Sequence, residues 1–421
     1  MKIFIANTHS VLNCGDAGIV LSQLEFLHNR FPDAKISLVS RTPEIDRPFY
    51  HSRGIKVFTP FFRVPSLASG FRKKAALSLR GLLDFSAQHA LSNEIKNSDL
   101  VISSGGGYFW SHRRHFTGPM FYQNYLPIKF ALKNRKPVVF FPQSYGPFLH
   151  RPDELRLKHL LENECVMKIF SREMRSFRYL NTLLENNLDK LELCPDMAFK
   201  LNPGAVPNDA RREVSMEHPI AAITLRQWDY PGSNSLREKR DAEDRYLTEL
   251  LGFCRTFHRH TKGSVVLFSQ SRGPGDIEND RVITQRFRKR LRGALPDKNL
   301  MSIDLEDIAS PADVMQILKQ VDFLIATRFH SAIFAFITGI PAVSIAYQSK
   351  GHEIMKLLDL SEYSLDITDF TAERLWRLSQ QILENTPLLR QKIRRRAASL
   401  RSELEAKLDQ AFDEIPGLRF S

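Results

Sequence analysis

Short apolar runs alternate along this chain with longer stretches in which apolar residues recur every three to four positions. In the first half the runs are KIFIAN, ISLVSR, IKVFTP, DLVISSGG, PVVFFPQS and VMKIFSR. A run of strand character followed each time by a helical period is the pattern of a parallel sheet with crossover helices. LVIS and VVFF do not alternate apolar with polar, as expected of strands covered on both faces. Residues 202–219, NPGAVPNDARREVSMEHP, are dense in Pro, Asn and charge and mark a domain boundary. A second set follows: IAAITLRQ, GSVVLFSQS, MSIDLE, VDFLIATR and PAVSIAY, with helical patterns near 243–260, 278–293, 311–320 and 330–338. Residues 371–413 read as a long, charged helical stretch.

The predicted fold is α/β, with two Rossmann-like domains facing a cleft. Residues 1–205 form the first and residues 206–370 the second. Residues 371–421 form a C-terminal helical segment able to cross back to the first. Open parallel sheets bind ligands beyond the C-terminal ends of their strands, so the informative residues are those that follow each apolar run.

Composition narrows the function classes. The 421 residues are 43% hydrophobic and 25% charged, as in ordinary globular proteins rather than disordered or fibrous ones. MKIFIANTHS reads as a strand and lacks the features of a secretory signal, and the apolar stretch 331–346 is broken by Gly339 and Pro341. A cytoplasmic protein is expected. Cys14, Cys165, Cys194 and Cys254 show no CxxC or Cys/His ligand spacing, which predicts reduced thiols, no disulfide framework and no metal site. Lys and Arg number 60 against 47 Asp and Glu, a net charge of +13 that points to an anionic partner. No nucleic acid is expected, because no RNP, KH, zinc-finger or helix-turn-helix signature is present.

In four places small or polar residues stand where a strand ends. In IANTHSVLNCGDAGIV, Asn13, Gly15 and Asp16 precede a helical pattern, so free N–H groups and a carboxylate meet at its start; a plain Asp cap is the alternative. In LVISSGGGYFW, Ser103, Ser104, Gly105, Gly106 and Gly107 follow a buried strand, and three glycines allow close approach of a ligand to the backbone. The segment is neither a Walker motif nor a GxGxxG turn. In VVFFPQSYGPF, Gln143 and Ser144 end the strand. In AAITLRQWDY the strand ends at Arg226, as LIATRFH ends at Arg328. Two guanidinium groups at strand ends suit a ligand carrying phosphate or carboxylate, whereas salt bridges to buried acids would make them structural. His330 lies two residues beyond Arg328 at the mouth of a helix, and Lys350 follows the next strand.

Taken together, NCGDAGIV, SGGGYFW, PQSYGPF, FSREMRS, CPDMAF, ITLRQ, TRFHSAIFAFITGIPAVSIAY and YQSKGHEI resemble the polysaccharide pyruvyl transferase family over roughly residues 1–365. The resemblance implies a GT-B-like pair of Rossmann-type domains and transfer of a pyruvyl group from phosphoenolpyruvate to a sugar of a cell-surface polysaccharide or its precursor, typically as a cyclic ketal. Phosphoenolpyruvate is then a co-substrate, no cofactor is expected, and the resemblance implies that residues 1–205 form the acceptor side and residues 206–370 the donor side. Arg226, Arg328 and Lys350 would be desolvated cations that clamp the donor. His330 would be the general acid or a phosphate ligand, and Asp16 the base that deprotonates the acceptor. Asn13, Gly15, Ser104, Gly105, Gly106, Gly107 and Gln143 would line the acceptor side or its loops.

Two other readings stay open: a GT-B glycosyltransferase using a nucleotide sugar, and a non-catalytic scaffold at a membrane surface. Residues 60–91 depart from a minimal member of the family. Here Arg63, Arg72, Lys73, Lys74 and Arg80 are interleaved with Phe61, Phe62, Leu67, Phe71, Leu77, Leu79, Leu82 and Leu83. An amphipathic helix packed on the first domain and a peripheral contact with anionic membrane, at the inner face of the cell membrane, both fit this composition. The acceptor is a saccharide, free or lipid-linked.

Overall fold

The computed structural model describes residues 1–61, 64, 84–111, 114–185, 189–202, 213–227, 235–275, 278–303 and 310–415. Most of the basic and apolar stretch expected to meet a membrane, residues 62–63 and 65–83, lies outside them. The chain forms two compact units. One comprises Met1–Val11, Asp16–Lys200 and Arg401–Ser421; the other comprises Leu12–Gly15 and Leu201–Leu400.

The first unit is built on eight strands: β1 (Lys2–Thr8), β2 (Lys35–Ser40), β3 (Lys56–Phe58), β4 (Leu100–Ser103), β5 (Gly106–Ser111), β6 (Val138–Phe148), β7 (Val166–Ser171) and β8 (Leu191–Leu193). All pair in parallel, in the order β3-β2-β1-β4-β6-β7-β8, with β5 alongside β6. The six runs read from the first half of the sequence all become strands. β4 is buried at each of its four positions, as the absence of alternation implied. The core between the sheet and its helices includes Phe4, Val101, Phe109, Ile128, Phe140, Leu157 and Ile169.

The second unit carries β9 (Ile220–Thr224), β10 (Ser264–Phe268), β11 (Leu300–Ile303), β12 (Phe323–Ala326), β13 (Ala342–Ala346) and β14 (Ser364–Asp366). The order is β11-β10-β9-β12-β13-β14, again all parallel. β9, β10, β12 and β13 are buried at every position. The chain winds outward from β9 in one direction to β11 and then returns to lay β12 on the opposite side of β9. The gap between β9 and β12 is therefore the switch point of the sheet, where open α/β folds bind ligands. In the first unit the corresponding point lies between β1 and β4.

The C-terminal stretch folds as two helices, Ala372–Glu384 and Thr386–Asp413. Within the first unit, Phe412 of the second helix packs its ring against Phe26, Phe31 and Phe141 at centroid distances of 5.5, 5.6 and 6.0 Å. Burial of such a ring contributes about 1.5–3 kcal/mol. Glu405 adds an ion pair to the buried Lys200 at 2.7 Å. Within the second unit, Arg390 and Arg396 of the same helix donate to the carbonyls of Val321 and Leu357 at 3.1 and 2.7 Å.

Candidate active site

Arg226 and Arg328 each stand two residues beyond the end of a strand, β9 and β12, so both occupy the switch point of the second sheet. Tyr347 follows β13, the next strand along, and Lys350 lies in the first turn of the helix Ser349–Leu357. Three neighbouring strand ends thus supply two guanidinium groups and a phenol, and the following helix supplies an ammonium.

The sequence left open whether Arg328 waits for a ligand anion or pairs with a buried acid, and the structure shows that the protein supplies a partner. Asp280, at the start of the helix Asp280–Leu291, is wholly buried and its two carboxylate oxygens each accept from Arg328 Nε at 3.0 Å. Arg328 Nη2 donates to Asp280 Oδ1 and, at 3.0 Å, to the carbonyl of Glu278. Burial pulls the Arg328 guanidinium down, but Asp280 outweighs this and holds it above its ordinary value. The backbone N–H groups of Gln270 and Ser271 donate to the same carboxylate at 3.3 and 3.1 Å, fixing it from the side of β10.

Arg226 is placed differently. Its Nη1 donates to the Tyr347 hydroxyl, and its guanidinium carbon lies 4.4 Å from the centre of the Tyr347 ring. Its buried Nε has no hydrogen-bond partner among the described residues. Burial, together with the charge of Arg328, pulls Arg226 below its usual range, and Tyr347, Asp280 and Glu278 oppose this. Lys350 Nζ lies 5.8 Å from the Tyr347 ring centre. Burial alone would raise the Tyr347 hydroxyl, yet Arg226, Lys350 and Arg328 bring it down to about 8. The cluster is a desolvated positive site with one buried carboxylate, suited to a compact anion.

His330 is the second residue of the helix Phe329–Thr338, whose cap is Arg328 and whose positive end faces the same region. Gly15 packs directly on the imidazole: a Cβ at position 15 would lie 2.3 Å from His330 Nδ1. Asn13 and Gly15, expected on the acceptor side, therefore belong with the second unit, because Leu12–Gly15 is tied to the segment after β10. Cys14 N donates to the Gln270 carbonyl at 3.1 Å, Arg272 N to the Leu12 carbonyl at 2.8 Å, and Asn13 bridges to Ser271. Asn13 Oδ1 accepts from Gly15 N at 3.0 Å and shapes the turn. Gln270 joins these parts, because its side-chain oxygen also accepts from Ser331, the neighbour of His330.

In the first unit the strand ends hold mainly neutral groups. Asn7 Oδ1, on β1, accepts from Ser104 N at 2.8 Å and Ser103 Oγ at 3.3 Å. Gln143 Nε2 donates to Ser103 Oγ at 3.1 Å, and Gln23 Nε2 to Ser104 Oγ at 3.0 Å. Asn7 Nδ2 and Gln143 Oε1 are buried with no hydrogen-bond partner among the described residues. Burial raises the Tyr108 hydroxyl and the half-buried Asp16 adds to this; Arg172 pairs with Asp196 at 2.7 Å, and Asp196 and Glu173, with a smaller part from Asp16, hold its charge against burial.

The three glycines do not form an open loop. Gly106 and Gly107 begin β5, paired with Gln143 and Ser144 of β6, and a Cβ on Gly105 would lie 2.9 Å from the Pro142 carbonyl. Glycine at 105 is required by packing, and at 106 by a φ of +131°.

Sequence reasoning missed Asp280, Gln270 and Tyr347 as parts of this arrangement. Tyr347 stands at a strand end just as Arg226 and Arg328 do, so the same positional rule reaches it. Asp280 reads in the sequence as an ordinary acidic residue at a helix start. Among the described residues, no three of His, Cys, Asp and Glu gather as a metal site would need, and no helix is long and apolar enough to cross a membrane. The four cysteines are free thiols.

A sequence model of the polysaccharide pyruvyl transferase family matches residues 13–349. The amylovoran biosynthesis protein AmsJ of Erwinia amylovora is 22% identical over 94% of this chain and 95% of its own length. Among solved structures, HepE of Anabaena, in complex with UDP, superposes with a TM-score of 0.60 at 10% identity, covering 99% of this chain and 100% of that one. The UDP-GlcNAc 2-epimerase of Neisseria meningitidis superposes with the same score at 9% identity and the same coverage. At such identities these likenesses show the fold, a GT-B-type pair of parallel α/β domains.

Proposed function

Because the chain belongs to the polysaccharide pyruvyl transferase family and is on that ground a transferase of polysaccharide modification, we propose that it moves a pyruvyl group from phosphoenolpyruvate to a saccharide and forms a cyclic ketal there. The observation that supports this most is the cluster of Arg226, Arg328 and Lys350 around Tyr347, a surplus of positive charge at the switch point of the second sheet in which Arg328 is buried and the other three residues are half-buried. Phosphoenolpyruvate carries a phosphate and a carboxylate on one carbon, and a preorganised set of cations binds both and excludes water from them. The Asp280 carboxylate is not a rival for the ligand in this reading. It holds the Arg328 fork in one orientation.

The chemistry calls for proton transfers. Protonation of the methylene carbon by His330 generates an electrophilic centre at the neighbouring carbon. An acceptor hydroxyl adds there, with its proton taken by Asp16, and loss of phosphate lets a second hydroxyl close the ketal. The reading includes no cofactor, because addition to an enol ether and departure of phosphate need only an acid, a base and charge neutralisation. The neutral amides and hydroxyls at the strand ends of the first unit suit an uncharged, hydroxyl-rich acceptor.

The test is to incubate the purified protein with labelled phosphoenolpyruvate and cell-envelope glycan precursors, free and lipid-linked. Release of inorganic phosphate with label on a glycan is expected. The fold is shared with nucleotide-sugar enzymes, so parallel arms contain UDP-sugars; release of UDP without phosphate would replace the reading with glycosyl transfer. No turnover with any donor, together with vesicle binding, would leave the scaffold.

A cytoplasmic enzyme at the inner face of the membrane fits a lipid-linked acceptor, and the basic, apolar composition of residues 60–91 supports such a contact. Salt-sensitive sedimentation with anionic vesicles, lost on replacing Arg72, Lys73 and Lys74 by Gln, is the expected result. Vesicle binding unchanged in that variant would remove the membrane role.

A further inference from the structure

The Tyr347 hydroxyl occupies an unusual chemical position. Its oxygen takes a hydrogen bond from Arg226 Nη1 and another from Lys350. Guanidinium and ammonium groups carry donors only, so both occupy lone pairs of the phenol oxygen and neither can receive its proton. That proton suits an acceptor of another kind, and the surrounding charge says which kind. Arg226 after β9, Arg328 at the cap of the helix Phe329–Thr338 and Lys350 in the helix Ser349–Leu357 face the phenol, and the carboxylates of Asp280 and Glu278 act on them through Arg328 and Arg226. Cations converging on a hydroxyl describe a place for an anion that is held by the cations and hydrogen-bonded by the hydroxyl.

We propose that Tyr347 is a further catalytic residue, whose hydroxyl passes its proton to the bridging phosphate oxygen as it leaves the former enol carbon of phosphoenolpyruvate, the carbon that becomes the ketal centre. This rests on the reading of phosphoenolpyruvate as donor. The two proton transfers then balance. His330 gives one proton to the methylene carbon while Asp16 takes one from the first acceptor hydroxyl. The C–O bond to phosphate then breaks, its electron pair staying on the phosphate oxygen as that oxygen takes the proton of Tyr347. The second acceptor hydroxyl closes the ketal and its proton restores Tyr347. The second hydroxyl proton thus ends on hydrogen phosphate, while Asp16 gives the first to solvent and His330 regains one from solvent, so that each group returns to its starting state. Between the steps the phenolate is stabilised by Arg226 and Lys350, the two groups already bonded to its oxygen.

The same surroundings give a signature of their own. In the free protein the cations bring the phenol to about 8, so above that pH it is ionised and occupies the cations itself. Bound phosphoenolpyruvate, with its ionised phosphate and carboxylate, offsets those cations and returns the phenol towards its ordinary, higher range. Binding above about pH 8 therefore takes up a proton, and kcat/KM falls above about pH 8 while the matching limb in kcat lies at higher pH.

The experiment measures phosphoenolpyruvate binding by calorimetry in buffers of different ionisation enthalpy from about pH 7 to 9, and turnover with the glycan precursors above, for wild type and Tyr347→Phe. Expected are proton uptake in wild type that Tyr347→Phe lacks, and a fall in kcat of roughly a hundredfold with little change in KM. The basic limb in kcat/KM should vanish with it. Replacement of Tyr347 by 3-fluorotyrosine, nearly the same size and more acidic, preserves packing and should move the limb to lower pH. If wild type binds phosphoenolpyruvate but Tyr347→Phe retains the proton uptake, the limb or full turnover, or if the fluorotyrosine limb stays in place, Tyr347 is not the acid and the donor assignment stands. If wild type binds no phosphoenolpyruvate and turns over UDP-sugars instead, the donor assignment itself is wrong and this step falls with it.

Discussion

Two parallel sheets in this chain end their central strands in opposite chemistry. At the switch point of the first, between β1 and β4, stand Asn7, Ser103 and Ser104, with Gln143 on β6 bonded to them. At the switch point of the second, between β9 and β12, stand Arg226 and Arg328. The winding is alike, and the strands that flank each switch point are buried at every position but Lys2 of β1, so the scaffold does not account for the difference. Amides and hydroxyls donate and accept without net charge and match a polyol, whereas guanidinium groups donate only and match an anion. One architecture therefore ends in buried neutral groups in one unit and in a pair of guanidinium groups in the other, a difference on which the proposed transfer from an acidic donor to a saccharide draws.

The sharpest way to break the charged end is Asp280→Asn. It leaves Arg328 buried opposite a neutral amide, and removal of one partner of a buried pair costs about 3–5 kcal/mol. Chemical denaturation should register that loss, and phosphoenolpyruvate binding should weaken because the Arg328 fork is no longer held. Unchanged stability would mean that the pair is not structural. Arg328→Lys sharpens the same point: an ammonium cannot keep both the Asp280 contacts and a bidentate grip on a ligand, so most activity should go while the fold survives.

His330→Gln comes next. If the imidazole protonates carbon, turnover falls by roughly a hundredfold or more and donor binding changes little. A loss of affinity with turnover intact would make it a phosphate ligand instead.

Gly15→Ala tests how the imidazole is positioned. A Cβ 2.3 Å from His330 Nδ1 forces the ring to shift, and a displacement of about 1 Å can cost up to roughly a hundredfold in rate. Turnover should drop while phosphoenolpyruvate affinity holds. Full activity would show that the ring tolerates the move and has no exacting role.

The smallest effect is expected at the neutral end. Gln143→Ala removes one buried hydrogen bond, worth about 1–3 kcal/mol when its partner is left unsatisfied, and should raise KM for the saccharide several-fold without touching phosphoenolpyruvate. An equal change for both substrates would erase the division between the sheets.

The hydrophobic pattern by itself determined the architecture. Short unbroken apolar runs such as LVIS and FLIA, bounded by polar or small residues, fit strands covered on both faces, and the helical period between them fits parallel crossovers. The same pattern picked out Arg226 and Arg328, because charge at the end of a buried strand is conspicuous against its apolar neighbours. Tertiary structure decided who partners whom. Asp280 lies 48 positions before Arg328 in the chain, and no local spacing joins them. Tyr347 looks like any strand-end aromatic until β9, β12 and β13 are side by side and Arg226 reaches its hydroxyl. The glycines at 105 and 106 read as a ligand loop, whereas Ile19, Gln23 and Pro142 crowd the first and the backbone φ dictates the second. Apolar burial is short-ranged in sequence and so is written in periodicity. Ion pairs and close contacts join residues far apart in the chain, and they exist only once the sheet has set its strand order.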